Sequence, residues 1–181
     1  VKAVDMQPGD ALKMKGYAVS AVSTHHSVPS IGFFLEEDPR PGRFNRDAAV
    51  SLGVPPGPLF GRLQRGQEIS VDGRVVQPNQ VMGPPRPGRK IVYTGDTRPC
   101  KSVQMAASGA DLLIHDCALA GDMADWAKET RHSTAAEAAE IARGADVGKL
   151  VLTHISSRYS EDTSVLLKEA RSIFERTVVA E

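Results

Sequence analysis

Aromatic residues and cysteines are scarce in this sequence, and long hydrophobic runs are missing. Phe, Trp and Tyr make up 5% of the 181 residues, and the two cysteines are Cys100 and Cys117. Two cysteines are too few for a disulfide framework, so we expect a reducing, cytoplasmic compartment. No run approaches the length of a transmembrane helix, so we expect no membrane association. An apolar content of 41% and a charged content of 24% are typical of one globular domain.

The sequence has no net charge, but its charges are unevenly distributed. Residues 39–101 carry 11 Lys and Arg against 4 Asp and Glu, and the segments on both sides are acidic. Most of the 12 prolines fall between residues 36 and 90, so few helices or central strands are expected there. We predict an excursion from the sheet over residues 38–88, either a functional arm or a disordered loop. Its basic surface suits a polyanion, although a solvated loop rich in arginine is the alternative.

Outside this excursion the pattern predicts strands that alternate with helices. Within the excursion, two helical turns are expected at 45–52, and a hairpin is expected around Asp72-Gly73. The expected strands are 12–15, 17–23, 31–35, 91–94, 112–115, 150–153 and 177–180. The expected helices are about 100–108, a segment around Trp126, one from the Thr134–Glu137 capping box to Gly144, and one from Ser160 to about Arg176. This order indicates an α/β fold.

Ionisable side chains follow three of the predicted strands. Asp96, Asp116 and His154 each follow a strand, His132 precedes a helix, and His26 lies in a loop at the end of strand 17–23. The carboxyl ends of neighbouring parallel strands meet in one crevice, where ligands and metals bind. Histidines with a carboxylate suit zinc, and an Asp–His pair suits proton transfer. Ordinary turn residues and solvated histidines are the alternative interpretation.

Six segments then carry a resemblance to a known family. THHSVPSIGF, GPLFGRLQRG, GPPRPGRKIVYTGDTRP, LLIHDCAL, RHSTAAEAAEIA and LVLTHISSRY occur in this order. Together they resemble tRNase Z (ribonuclease Z), of the metallo-β-lactamase superfamily, over nearly all 181 residues. The resemblance implies the C-terminal half of an αββα sandwich, with residues 38–88 as an inserted flexible arm that grips tRNA. It also implies a precursor tRNA substrate, two zinc ions and cleavage that leaves a 3′-hydroxyl.

The resemblance assigns roles to the five residues of the crevice. Asp96 would bridge both metals, with His26 on one metal and His154 on the other. His132 would protonate the leaving 3′-oxygen, and Asp116 would orient His132. Many relatives have Glu where this chain has Asp116, so the side chain here is shorter by one methylene.

Other residues and properties are also implied by the resemblance. His26 is preferred to His25 because the family ligand lies six residues before a Gly–aromatic pair, here Gly32-Phe33. Arg98 and Arg158 are candidate phosphate contacts, with structural ion pairs as the alternative. Family members are often dimers, so a homodimer is expected as well.

One motif of the superfamily is missing from the sequence. The 181 residues contain no His-x-His-x-Asp-His motif, which supplies most of the zinc ligands in the family. We therefore expect the chain to be part of a longer protein and to be inactive alone, with the parent protein as the endoribonuclease. Two other functions remain open: a non-catalytic tRNA-binding or assembly module, and another phosphodiesterase of the same superfamily.

Overall fold

A computed structural model describes residues 3–180, which divide into two units. The main unit contains the described residues up to Glu37 and from Arg89 onward, and the inserted unit is Asp38–Gly88. The strands of the main unit are β1 (Ala11–Met14), β2 (Tyr17–Ser23), β3 (Ile31–Glu37), β6 (Lys90–Tyr93), β7 (Leu112–Asp116), β8 (Leu150–Thr153) and β9 (Thr177–Val179). Its helices are α3 (Lys101–Ala106), α4 (Ala124–Thr130), α5 (Ala135–Gly144) and α6 (Ser164–Ile173). The inserted unit contains α1 (Arg46–Ser51), α2 (Pro58–Gln64), β4 (Ile69–Val71) and β5 (Arg74–Val76).

The seven strands of the main unit form one mixed sheet. Their order is β1-β2-β3-β6-β7-β8-β9. Strands β1, β2, β3 and β6 pair in antiparallel fashion, and β6, β7, β8 and β9 pair in parallel. A parallel connection needs a crossover, which the segments containing α3, α5 and α6 provide. The α/β prediction is therefore confirmed, and the carboxyl ends of β6, β7 and β8 lie at one edge of the sheet.

One face of the sheet is buried under helices. Val92, Leu113 and Leu150 are register partners on β6, β7 and β8, and each is 0% exposed. They belong to one core cluster with side chains of α3, α5 and α6, including Val103, Ala107, Ala138, Ala142, Leu166 and Ala170. The small alanines of α5 let the helix approach its neighbours closely, so the layer packs tightly on the strands.

The other face of the sheet is apolar but much more exposed. Successive side chains of a strand point to opposite faces, so Ile91 and Tyr93 flank the buried Val92 on the far side. Ile91 is 36% exposed and Tyr93 is 47% exposed. On the edge strand β1, Leu12 is 37% exposed and Met14 is 44% exposed. This face therefore carries the apolar side chains of a buried sheet surface, although these side chains are exposed.

The inserted unit folds around a core of its own. Ala49, Val54, Leu63, Ile69 and Val76 are buried together in it. The helix at 45–52 and the hairpin at Asp72-Gly73 occur as expected, as α1 and as β4 with β5.

The second helix of the inserted unit, α2, was not expected in this proline-rich stretch. It begins at Pro58, and the first helical position tolerates proline because its N–H would have no partner inside the helix. Phe44 and Phe60 pack against each other with ring centroids 4.9 Å apart, which is local packing.

The last helix begins later than the sequence predicts. Ser160 does not cap it; Ser157–Tyr159 form a short 3-10 turn, and α6 starts at Ser164. The Asp162 carboxylate accepts hydrogen bonds from the backbone N–H and the hydroxyl of Ser164, at 2.8 and 2.9 Å. The helix ends at Ile173 and not near Arg176, because Phe174 is already extended and packs into the core. Between residues 3 and 180, none of the helices is long and apolar enough to cross a membrane.

Candidate functional site

The turn after β6 is fixed by bonds from three other segments. Gly95 has φ +61°, which lets the chain turn at the strand end and present Asp96. The backbone N–H of Thr97 donates to Asp116 Oδ2 at 2.8 Å, and the Ser133 hydroxyl donates to the Thr97 carbonyl at 2.6 Å. The backbone N–H of His25 donates to Thr97 Oγ1 at 3.0 Å. The turn of Asp96 is thus tied to β7, to the loop before α5 and to the loop after β2.

Three of the predicted site residues bring potential metal-ligand atoms together. One atom each from His26, Asp96 and His132 lies within 4.8 Å of the others. His26 Nδ1 lies 3.0 Å from the carbonyl oxygen of Arg131, so Nδ1 carries the proton and donates. The Nε2 atom of His26 is then the one with a free lone pair. His25 does not join this group; its Nε2 accepts a hydrogen bond from Arg131 at 3.0 Å.

His154 completes the group at the end of β8. Its Nδ1 lies 3.4 Å from Asp96 Oδ1, and its ring stacks on His132 with centroids 4.9 Å apart. His154 has φ +58°, a left-handed conformation that a side chain other than glycine adopts at some cost. Such local strain is typical of residues held in place for function. The five residues expected in the crevice therefore do meet there.

Asp116 and His132 form the second part of the site. His132 Nδ1 lies 2.8 Å from Asp116 Oδ2, so the shorter aspartate does reach the imidazole. Asp116 is 0% exposed, and burial raises the pKa of its carboxyl above the ordinary value, while the Thr97 N–H and His132 oppose the rise. Because a carboxylate accepts the proton on Nδ1, it fixes the tautomer and leaves Nε2 of His132 facing the other histidines. This is the geometry of an oriented acid or base.

Sequence reasoning missed His115, which lies directly behind this pair. His115 is 0% exposed, its Nδ1 lies 2.8 Å from the carbonyl of Asp116, and burial lowers its pKa. Its position two residues after Leu113 in β7 was the available signal, because alternate residues share a face. Cys117 is also 0% exposed, and burial raises the pKa of its thiol to about 12, so the thiol stays protonated and has a structural role.

The two arginines expected to contact phosphate have different surroundings. Arg98 donates from Nη1 to the His132 carbonyl at 2.7 Å and to Glu137 Oε2 at 2.8 Å, and Nη2 pairs with Glu137 Oε1. Glu137 also caps α5 by accepting from the backbone N–H of Thr134 at 2.9 Å. These contacts favour the ion-pair alternative for Arg98. Arg158 is exposed on the turn before α6, with Nη1 3.3 Å from Met123 Sδ, and is free to meet a ligand.

The chemistry of these donors fits a transition-metal ion. Imidazole nitrogen and carboxylate oxygen are the atoms that bind zinc and similar ions in proteins. Ligating histidines commonly donate their other ring N–H to a carbonyl or carboxylate, as His26 does to Arg131. The group is half-exposed, since the side chains of His154 and Asp96 are 46% and 40% exposed. It therefore has open positions as well as donors.

Comparison with known proteins finds one matching family model and relatives along the whole of this chain. A family model described as a beta-lactamase superfamily domain matches residues 75–155. A ribonuclease Z of Methanosarcina acetivorans is 56% identical over 181 residues, which are 100% of this chain and 59% of that protein. A ribonuclease Z of Archaeoglobus fulgidus is 49% identical over 182 residues, covering 100% of this chain and 60% of that protein. The chain thus spans about three fifths of the length of these curated relatives.

Solved structures share the fold at lower identity. The metallo-beta-lactamase fold protein YhfI from Bacillus subtilis has a TM-score of 0.64 and 21% identity, covering 99% of this chain and 53% of that one. The short form of human tRNase Z has a TM-score of 0.55 and 24% identity, covering 94% of this chain and 42% of that one. At these identities the structures attest the fold alone. The solved structures and the family model together show that the chain has the metallo-β-lactamase fold, and over its whole length the chain is similar to ribonuclease Z proteins.

Proposed function

We propose that the full-length gene product containing this chain is a zinc-dependent endoribonuclease that removes the 3′ trailer of precursor tRNA. The observation that carries the proposal is the meeting of His26, Asp96, His132 and His154 beside the buried Asp116. A metal-ligand group next to an oriented imidazole can both activate water and protonate a leaving oxygen. The ribonuclease Z relatives supply the substrate class. We propose a cytoplasmic location together with this activity.

Within this proposal, His26, Asp96 and His154 hold the metal and His132 is the general acid. Bound zinc would supply an acidified water and stabilise charge on the phosphoryl oxygens. The oxygen of a water molecule forms a new bond to phosphorus as the bond between phosphorus and the 3′-oxygen of the mature tRNA breaks, and the 3′-oxygen leaves with the bonding electrons. His132 donates the proton on Nε2 to it, which gives a 3′-hydroxyl, while the trailer keeps the 5′-phosphate. Asp116 stays ionised and stabilises the charged imidazole through Nδ1.

A cleft beside His132, the proposed general acid, is an argument for a nucleotide as the substrate. It has a volume of about 320 Å³ and is lined by Trp126, Thr130, His132, His154 and Ser156, among others. Trp126 is 46% exposed, although large aromatic side chains are usually buried. A nucleobase is a flat group that stacks on such a ring, and the lining hydroxyls can bond its edge.

The inserted unit supports RNA as the larger ligand. Its sequence carries seven arginines, no lysine and four acidic residues. Arginine binds phosphate through two parallel N–H groups, so a surface of this kind favours a nucleic-acid backbone. We propose that residues 38–88 grip the tRNA away from the cut, and that the main unit performs the chemistry.

The test is cleavage of a precursor tRNA by the full-length gene product purified with zinc. The expected products are a tRNA with a 3′-hydroxyl and a trailer with a 5′-phosphate, both identified by mass. Removal of metal with a chelator should abolish cleavage, and zinc should restore it. Binding of the precursor without cleavage would support the non-catalytic tRNA-binding module instead. Hydrolysis of small phosphodiesters but not of precursor tRNA would indicate another phosphodiesterase.

A further inference from the structure

A second cavity lies beside the segment that contains His25 and His26. It has a volume of about 400 Å³ and is lined by His25, Arg98, Pro99, Lys128 and Arg131. Four of these five side chains are basic, and none is acidic. The cavity adjoins the site through the main chain, because the Arg131 carbonyl accepts from His26 Nδ1 at 3.0 Å and Arg131 directly precedes His132.

Most of the positive charge in this cavity is unneutralised. Arg98 is paired with Glu137, so its charge is balanced. Lys128 has no ion-pair or hydrogen-bond partner among residues 3–180, and it is exposed on α4. Arg131 uses one of its five N–H donors on His25 Nε2 at 3.0 Å. Lys128 and the remaining donors of Arg131 are therefore available to an anion.

The backbone of Arg131 adopts a conformation that is unfavourable for an arginine. Arg131 ends α4 with φ +60°, the left-handed conformation that glycine adopts without strain. A large side chain at such a position weakens the fold compared with glycine. Replacement of Arg131 by glycine would therefore relieve this strain, which allows the role of the side chain to be tested apart from fold stability.

We propose that the cavity binds a backbone phosphate of the RNA strand, next to the phosphate that is cut. Arg131 and Lys128 hold its oxygens, with the imidazole of His25 orienting the guanidinium. This inference rests on the proposed function, because it assumes an RNA strand that crosses the metal-ligand group. It adds a contact that positions the strand and does not take part in bond breaking.

The test uses the full-length gene product with zinc and precursor tRNA, in three variants. Arg131→Gln and Lys128→Gln remove the charges, and Lys149→Gln is the matched control, since Lys149 is exposed just before β8, at the opposite end of that strand from His154. We expect KM to rise about tenfold for each of the first two variants, with kcat changed less than twofold, because charge-assisted bonds to phosphate are lost. The dependence of KM on salt should weaken by about one phosphate contact in each. The control should match the wild type.

A neutral-backbone substrate then locates the phosphate. Precursors carrying a single methylphosphonate at successive linkages around the cut should show one position at which KM rises in the wild type but not in Arg131→Gln. If every linkage has the same effect in both proteins, the cavity binds no phosphate and the inference is wrong. If the wild type does not cleave precursor tRNA, the proposed function fails and the inference fails with it. If the wild type cleaves precursor tRNA and Arg131→Gln has the same KM as the Lys149→Gln control, the inference is wrong while the proposed function stands.

Arg131→Gly separates binding from folding. Glycine relieves the left-handed strain, so we expect a Tm equal to or above that of the wild type, with the same rise in KM as Arg131→Gln. A purely structural role for the arginine predicts the reverse, a lower Tm with an unchanged KM.

Discussion

His132 Nδ1 and Asp116 Oδ2 lie 2.8 Å apart, and the carboxylate is fully buried while the imidazole reaches the open side of the site. A buried carboxylate without a partner would be costly, so the imidazole and the Thr97 N–H stabilise it in turn. Each residue thus fixes the other. The pair separates two roles, since Asp116 positions the ring and His132 alone faces the substrate.

Replacing His132 with alanine should affect substrates according to their leaving group. Cleavage of precursor tRNA expels a basic 3′-oxygen, which needs a proton, so we expect kcat to fall by about 10² to 10⁴. A p-nitrophenyl phosphodiester expels a stable phenolate, so its hydrolysis should change only a few fold. Steady-state kinetics of both substrates with the full-length gene product measure the difference. Equal losses on the two substrates would show that His132 is not the acid.

Metal content distinguishes a ligand from an acid within the same group of side chains. His26→Ala and His154→Ala each remove a proposed ligand, so the purified protein should contain less zinc than the wild type. His132→Ala should retain the wild-type zinc content, although its atoms lie within 4.8 Å of those of His26 and Asp96. Elemental analysis of the three variants, with His25→Ala as the control, is the measurement. Loss of zinc from His132→Ala would make that residue a ligand.

The ion pair between Arg98 and Glu137 should contribute to stability more than to substrate binding. The side chains are only 16% and 27% exposed, and removal of one partner leaves the other charge partly buried. We expect Arg98→Ala and Glu137→Ala each to lower the free energy of unfolding by about 1–3 kcal/mol. The double variant should lose less than the sum, which a double-mutant cycle in urea measures. Arg98→Ala with unchanged stability and a raised KM would restore the phosphate-contact interpretation.

The sequence was sufficient for the features that local chemistry determines. The Thr134–Glu137 capping box starts α5, and Asp72-Gly73 turns a hairpin, because both depend on residues a few positions apart. Asp96, Asp116 and His154 could be named because they lie at the ends of strands whose parallel order brings these ends together. The partner of Arg98 could not be named, since Glu137 is 39 residues away and only the folded chain brings them together.

The sequence pattern did not predict the features that depend on tertiary contacts. Arg131 and His154 adopt left-handed conformations. Arginine and histidine usually avoid this conformation, so the sequence does not predict it. The late start of α6 was not predicted because Ser160 ends the preceding 3-10 turn, whereas Asp162 bonds to Ser164, the first residue of the helix. The core of the inserted unit was hidden because prolines lowered the expectation of helices, although Pro58 occupies the one helical position that suits it.

The exposed sheet face should make the 181-residue chain associate with itself. Ile91 and Tyr93 are 36% and 47% exposed there, and exposed apolar surface of this kind favours association. Tyr93→Lys should reduce that association, as measured by sedimentation over a range of concentrations. In the full-length gene product, where we expect the remainder of the protein to cover this face, the same change should destabilise by about 2–4 kcal/mol.

The control for this prediction is a helix surface on the opposite side of the sheet. Met105 on α3 is 66% exposed, so Met105→Lys tests whether any exposed apolar side chain has the same effect. It should change neither association of the chain nor stability of the full-length protein by a measurable amount. A chain that remains monomeric at every concentration would contradict the prediction.

Ionisation of Cys117 should make the fold less stable at alkaline pH. Burial raises the pKa of its thiol from 9.0 to about 12, so the folded state keeps a proton that the unfolded state releases. The stabilisation is complete below about pH 8.5 and is lost as pH rises toward 12, at about 1.4 kcal/mol per unit of pH. Cys117→Ala should therefore lose less stability than the wild type between pH 8 and 10.5, in urea unfolding followed at several pH values. Identical curves for the two proteins would show that burial does not keep the Cys117 thiol protonated.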